Sequence, residues 1–397
     1  MPENGDLEGV NEPVITLNAE IDWDDEAEVV VVGSGIAGCS VAINCAVQGA
    51  SVLVLEKSGS TGGTSAKSGA GALVPNNRFL RQAGRETESK ADFIGLLARL
   101  GRPALYDTSH PTFGLPQWEY DLIETYYDNA EEAWSYMEDI DAVKVMHFPD
   151  WPSYNDIPEE KYPFGRMIFP CDDDGQLAFG REAIDRLVRK ATALGAKLLT
   201  GFGVTGVYVN QVGEIVGVRG FSDGEVRSVR ALRSVVFSTG GFTHSSQYAR
   251  EYLNGQIVGG CAARTNTGDF IPIAKALGAP LFQMNSAFLA PLVYEQAIDK
   301  DPDLVTNFNF AGDSGLVVNK YGVRVGNEKA QYNDRTQSHY VWDAHRAEYP
   351  NFLQFGIIDQ RTRENFGYSG RGDYQAGNFI PSPGESSKYL IEAETIP

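Results

Sequence analysis

The sequence predicts an α/β fold that opens on a dinucleotide-binding βαβ unit, and three observations predict it. The first is the run "VVVVGSGIAGCSVAINCAVQGASVLVLEK", Val29 to Lys57. The second is the alternation of helical and strand patterns that follows, ending in the buried-strand signal "SVVFSTGGF". The third is a change of texture from about Pro291, where aromatic-rich segments with hairpin signals such as "VVNKYGVRV" replace the alternation.

The first 25 residues are acidic and aperiodic, which predicts a flexible arm. Val29–Val32 then reads as a buried strand. Gly33, Gly35 and Gly38 follow in the spacing G-x-G-x-x-G. Gly33 suits a tight turn, Gly35 the approach of a pyrophosphate, and Gly38 the packing of helix on strand. The helix runs to about Gln48, with Gly49 in the usual C-terminal position. Its N-terminus offers free N–H groups to phosphates. Val52–Leu55 makes a second buried strand, and Glu56 closes it 23 residues after Gly33 (56 − 33). An acid there accepts both hydroxyls of a ribose and disfavours a 2′-phosphate. The context, strand before and helix after, is what lifts this motif above a bare glycine pattern.

"SGSTGGTSAKSGAGALVPNN" is a loop of small residues and hydroxyls suited to an extended anionic cofactor. Residues 91–140 read as helices, and most aromatics of "YDLIETYYDNAEEAWSYMEDI" are expected in the core. Residues 148–170, dense in Pro and rings, predict an irregular loop. "REAIDRLVRKATALGA" predicts a helix, and Lys197–Thr200, Val204–Val209 and Glu214–Gly220 predict strands with a turn at Gln211–Gly213. "TNTGDFIPIAKALGA" opens a further helix.

Bulk properties narrow the function. The 397 residues suffice for two or three domains. A net charge of −20 argues against a nucleic-acid partner, which needs clustered Lys and Arg. The four cysteines form no C-x-x-C, and the five histidines show no ligand spacing, so no metal is expected. No apolar run reaches spanning length and no signal-peptide pattern opens the chain, so no transmembrane segment is expected and the default is cytoplasmic.

Taken in order, Gly33-x-Gly35-x-x-Gly38, Glu56, "GGTSAKSGAG", "STGGF", "NTGD" and "VVNKYGVRVGNE" resemble the fumarate reductase/succinate dehydrogenase flavoprotein family over roughly residues 26–397. "SGAGALVPNN" and "NEKAQYND" look most like its 3-ketosteroid dehydrogenase branch. The resemblance implies a Rossmann-like FAD-binding domain of glutathione-reductase type with an inserted α+β cap domain. It sets the FAD-binding domain at 26–290 and the cap, catalytic domain at 291–397. Relatives close the flavin pocket with a Gly-rich return segment, which the resemblance implies is missing from a chain ending at Pro397. It implies FAD along Gly35, Ala37 and Gly38, the ribose on Glu56, and the middle and flavin end on Gly63, Thr64, Ser65 and Gly69, Ala70 and Gly71. The strand containing Val204 would edge the adenine, and Lys57, Gly240 and Asp269 join the cofactor residues. The loop lacks the His of covalent relatives, which implies non-covalent FAD. Phe270 stands where the family's T-G-D-G has Gly, which would crowd the flavin edge.

In that branch FAD desaturates the A-ring of a 3-oxosteroid. The reaction needs a base for the α proton, a donor to the enolate oxygen, and a hydride acceptor. Tyr332 matches the tyrosine after "NE" and is the expected base. Trp151 and Tyr154 are the expected lining aromatics. The run "QMNSAFLAPLVYEQ" suits a small apolar substrate such as a steroid, and an electron acceptor of unknown kind must reoxidise the flavin. One alternative is an ene-reductase of the fumarate or urocanate type, which would need an Arg fork; Asn333 stands at the family's Arg place and Arg335 follows Asp334. Another is a flavin-binding fragment without turnover.

Overall fold

The computed structural model describes residues 12–85, 88–150, 154, 157–299, 308, 312, 314–366 and 380–395. Two compact units emerge, and they divide the chain differently from the boundary expected at 290. One comprises residues 1–38, 49–67 and 197–397, the other 39–48 and 68–196.

The first unit is built on a seven-stranded sheet. In chain order its strands are β1 (Val14–Thr16), β2 (Asp25–Val32), β3 (Val52–Glu56), β7 (Lys197–Thr200), β8 (Gly203–Val209), β9 (Ile215–Ser222) and β10 (Glu225–Phe237). The spatial order is β1-β8-β9-β10-β2-β3-β7. β10, β2, β3 and β7 run parallel, with Val30 opposite Leu53 and Val235 opposite Val30. Central parallel strands are buried on both faces, which is why β2 and β3 read as unbroken valine and leucine runs. Val30, Leu53, Val207 and Val218 are fully buried in one shared core. β8, β9 and β10 form an antiparallel meander.

The expected start of β10 at Ser234 is too late. The strand begins at Glu225, because Asp223 (φ 54°) and Gly224 (φ 83°) make a two-residue turn with both residues left-handed. That geometry matches the strand twist, and Asp-Gly is its common sequence. The expected N-terminal arm is also corrected for the residues described. β1 pairs in parallel with β8, and the Trp23 ring meets Tyr208 edge-on at 5.4 Å. Burial of Trp23 against Gly217 outweighs the acidic composition: a Cβ on Gly217 would lie 2.5 Å from the indole. Residues 1–11 lie outside the described residues.

Further along this unit, β11 (Gly315–Asn319) was expected to form a hairpin within "VVNKYGVRV". The turn is there, with Asn319 N–H donating to Val323 O at 2.9 Å, but the ladder partner of β11 is β12 (Gln354–Ile358).

The second unit holds a three-stranded sheet of order β4-β6-β5, from β4 (Ala72–Leu73), β5 (Val145–His147) and β6 (Met167–Pro170). β6 replaces the end of the irregular loop expected over 148–170. Helices span Lys90–Gly101, Gln117–Asp139 and Gly180–Ala193. Ser89 caps the first of these, its hydroxyl accepting from Asp92 N–H at 3.1 Å. The aromatics of Gln117–Asp139 are not mostly core as expected. Trp118, Leu122, Tyr126 and Tyr136 are exposed, and the buried positions are Glu119 and Ala130. Glu119 is buried because Arg102 grips its carboxylate with two nitrogens.

In this unit Arg166 is held between two glutamates. Its Nε and Nη2 donate to Glu88 at 2.8 and 2.5 Å, and its Nη1 and Nη2 to Glu160 at 2.6 and 2.8 Å. The side chains of Arg166, Glu88 and Glu160 are 2%, 4% and 0% exposed. Burial alone would lower the Arg166 pKa, but its bonds to both carboxylates keep it firmly protonated. Burial pushes the Glu88 carboxyl up despite Arg166.

Candidate functional site

The glycine turn between β2 and the helix α1 (Ile36–Val47) is set by local sterics. Gly33 takes φ 102°, and a Cβ there would lie 2.4 Å from Ser238 O of the neighbouring β10 turn. A Cβ on Gly38 would lie 2.0 Å from Gly33 O. Gly35 differs: its hypothetical Cβ meets only Ser65 Oγ at 3.5 Å and Gly62 O at 3.9 Å. The face of Gly35 is therefore open to a ligand, beside the N-terminus of α1. Ala37 is exposed there, and Ile36 N–H donates to Ser65 Oγ at 3.2 Å.

Glu56 ends β3 as a buried acid. Its Oε2 accepts from Ser34 N–H at 3.0 Å and Ser34 Oγ at 2.5 Å, and its Oε1 from Ser58 N–H at 2.8 Å. Ser34 Oγ in turn accepts from Gly62 N–H at 2.9 Å. Next along, Lys57 Nζ reaches Thr267 Oγ1 at 2.6 Å and Asp269 at 2.8 Å. The pair is part-exposed, so its energetic worth is small; its effect is to tie the end of β3 to the 265–269 turn.

The short helix α2 (Gly63–Lys67) carries the next candidates. Gly63 has φ 48°. Thr64 Oγ1 accepts from Ala263 N–H and Asn266 Nδ2, both at 2.9 Å. Asn266 presses on Gly240, where a Cβ would come within 2.8 Å of its Oδ1. Thus the turn after β2, the loop after β3, the turn after β10 and the "NTGD" segment meet in one unit. Gly33, Gly35, Ala37, Gly38, Glu56, Lys57, Gly63, Thr64, Ser65, Gly240 and Asp269 all belong to it. Val204 belongs too, with its side chain in the core cluster. Phe270 opens the helix Phe270–Ala276.

Gly69, Ala70 and Gly71 lie in the second unit. Ala70 has φ 52°, and a Cβ on Gly71 would strike the Phe169 ring at 2.7 Å. Tyr154 is in the same unit, half-buried, its carbonyl accepting from Ile157 N–H at 3.2 Å. Trp151 lies outside the described residues.

Tyr332 is in the first unit, as the first residue of the helix Tyr332–Gln337. Its ring meets Phe288 edge-on at 5.3 Å. Phe288 is 78% exposed, with Phe282 and Tyr294 exposed on the same segment. Asn333 Oδ1 accepts from Leu289 N–H at 2.9 Å, fixing that segment beside the helix. Arg335 is part-buried, donates to Phe308 O at 3.1 Å, and has its pKa lowered by burial.

Glu328 lies in the turn before this helix. Arg324 binds it through two nitrogens and Val317 N–H donates at 2.9 Å. Chiefly through Arg324, its carboxyl is held down to about 2. A carboxyl with a depressed folded pKa stabilises above its unfolded value of about 4.3 and loses that stability as pH falls towards the folded value. Urea unfolding at pH 7, 5 and 3.5 is therefore expected to show a smaller acid-induced loss in Glu328→Gln than in the wild type. Equal losses would remove Glu328 from the acid response.

Sequence reasoning missed Ser34, Ser58 and Asn266. Asn266 lies in the quoted "NTGD", and Ser34 inside the glycine motif, so both were signalled by motif position without a role.

The FAD binding domain family matches residues 28–356. The chain is 26% identical over 446 residues to a 3-oxosteroid 1-dehydrogenase of Mycolicibacterium smegmatis, spanning 94% of this chain and 74% of that protein. It is 27% identical over 413 residues to a 4-oxocyclohexanecarboxylate 2-dehydrogenase of Sinomonas cyclohexanicum, spanning 93% and 69%. Its fold is like that of the 3-ketosteroid Δ1-dehydrogenase of Sterolibacterium denitrificans, solved with 1,4-androstadiene-3,17-dione, with a TM-score of 0.73, 20% identity and coverage of 92% and 73%. Among the described residues no helix is long and apolar enough to cross a membrane.

Proposed function

The chain belongs to the FAD-binding domain family, and from that premise we propose a dehydrogenase that desaturates a 3-ketosteroid or similar cyclic ketone. It is an FAD-dependent oxidoreductase. The open face of Gly35, the N-terminus of α1 and the buried acid Glu56 fit the diphosphate and ribose of FAD. Bound FAD supplies the acceptor for the hydride that leaves the β carbon.

The observation that carries the substrate reading is the exposed aromatic segment against Tyr332. Phe282, Phe288 and Tyr294 are exposed large apolar side chains, a surface that suits an apolar ring system. Tyr332 stands at the edge of that surface and is the group we assign to take the α proton. A phenol with an ordinary pKa of about 10 needs help to act as a base near neutral pH. Arg335 lies one turn on along the same helix. Tyr154 and Trp151 remain candidates for the substrate lining.

The dicarboxylate ene-reductase reading has less behind it. Arg335 donates through Nη2 to the Phe308 carbonyl, and Asn333, at the family's Arg place, carries no guanidinium fork and accepts from Leu289 N–H through Oδ1.

The test is a visible spectrum of the purified protein without oxygen, before and after adding a 3-ketosteroid with a saturated A-ring, and separately 4-oxocyclohexanecarboxylate. Bleaching of the flavin band by either supports a cyclic-ketone dehydrogenase. A band that neither bleaches overturns it, and a flavin reoxidised by fumarate or urocanate after chemical reduction would put the ene-reductase in its place.

A further inference from the structure

We propose that Ser34 is a positioning residue for the cofactor, and that by occupying Oε2 of Glu56 it leaves the acid able to accept one ribose hydroxyl, not two. The proposal rests on the FAD assignment of this cradle.

An ionised carboxylate has about four acceptor positions, two on each oxygen. Glu56 Oε2 already takes two bonds from one residue, Ser34 N–H at 3.0 Å and Ser34 Oγ at 2.5 Å. Its Oε1 takes one, from Ser58 N–H at 2.8 Å. A single position is left, on Oε1. Glu56 therefore faces a ribose with one acceptor, where the motif alone suggests two.

The Ser34 hydroxyl is fixed from both sides. Its proton goes to Glu56, and its oxygen accepts from Gly62 N–H at 2.9 Å. Ser34 is 0% exposed, so water does not replace either bond. Through it three segments are held in register: the glycine turn, the end of β3, and the loop that enters α2. Ser34 thus acts on the cofactor through Glu56 and the Gly62 backbone and does not itself reach it. Removing the hydroxyl would strand the Gly62 N–H and free Oε2 together, and a buried group stripped of its partner is expensive.

The experiment is a fluorescence titration of the flavin-stripped chain with FAD, ADP, 2′-deoxy-ADP and 3′-deoxy-ADP, repeated on Ser34→Ala. In the wild type one deoxy analogue should bind about tenfold more weakly than ADP, the size of one lost hydrogen bond to a charged acceptor, and the other within about twofold. In Ser34→Ala, FAD and ADP should both weaken about tenfold or more, and the difference between the two deoxy analogues should shrink to within about twofold. A merely structural serine would lower affinity without changing that difference. Equal losses for both analogues in the wild type would overturn the proposal, as would a Ser34→Ala variant with wild-type ADP affinity and analogue discrimination. The wild-type comparison needs no variant, so it decides the point even if Ser34→Ala does not fold. A wild-type chain that binds neither FAD nor ADP would overturn the cradle itself, and the proposal with it.

Discussion

Tyr332→Phe is expected to keep the bound flavin and lose about 10²- to 10⁴-fold in turnover, the usual worth of a positioned acid–base group. The change removes one oxygen and keeps the ring, so the edge-on contact with Phe288 at 5.3 Å and the start of the helix survive. Loss should therefore fall on the rate of flavin reduction by substrate and not on the flavin spectrum or the melting temperature. Stopped-flow bleaching under substrate saturation separates these. The pH profile adds a second readout: a limb in the wild-type rate that reports an ionising phenol should disappear in the variant. Wild-type rates in Tyr332→Phe would remove this residue from the mechanism and turn attention to Tyr154.

Arg166→Ala should cost about 3–5 kcal/mol of stability, because it leaves two carboxylates buried without their counter-charge. Glu88 and Glu160 have side chains 4% and 0% exposed, and among the described residues Arg166 bridges them. Burial already raises Glu88 while the arginine is present. Without it Glu88 should rise further above the unfolded value of about 4.3, so the folded variant binds a proton that the unfolded chain does not. Its deficit against the wild type should then shrink as pH falls from 7 towards 5. The control is Arg166→Met combined with Glu88→Gln and Glu160→Gln, which removes the charges together and should recover much of the loss. A loss below about 1 kcal/mol in Arg166→Ala would mean that water reaches the carboxylates when the guanidinium goes.

The parts of this protein that could be read from the sequence are those whose cause is local. Val29–Val32 and Val52–Leu55 announce central parallel strands because both faces of such strands are buried. Gly33 and Gly38 announce the turn because a Cβ at either would strike backbone within a few residues or on the adjacent strand. The misplacements have equally definite causes. β10 starts nine residues before its apolar pattern (234 − 225), because that pattern is strong only at its end while the Asp223–Gly224 turn sets its beginning. The acidic composition of residues 12–25 hid a strand that exists only because β8 offers it an edge. The helix Gln117–Asp139 has apolar residues at helical spacing, yet its most buried large side chain is Glu119, held by an arginine from outside the helix.

By itself, then, the sequence determined the βαβ unit, its glycines, the acid at the end of β3 and the family. Each depends on φ, on sterics, or on a pattern of period two or 3.6 that neighbouring residues carry. The tertiary structure alone decided which oxygen of Glu56 is taken by Ser34, that Lys57 pairs with Asp269 212 positions away, and that Arg166 lies between Glu88 and Glu160. Charged and hydroxyl side chains find partners by proximity in space, and the sequence separations between them encode nothing about the angle at which they meet.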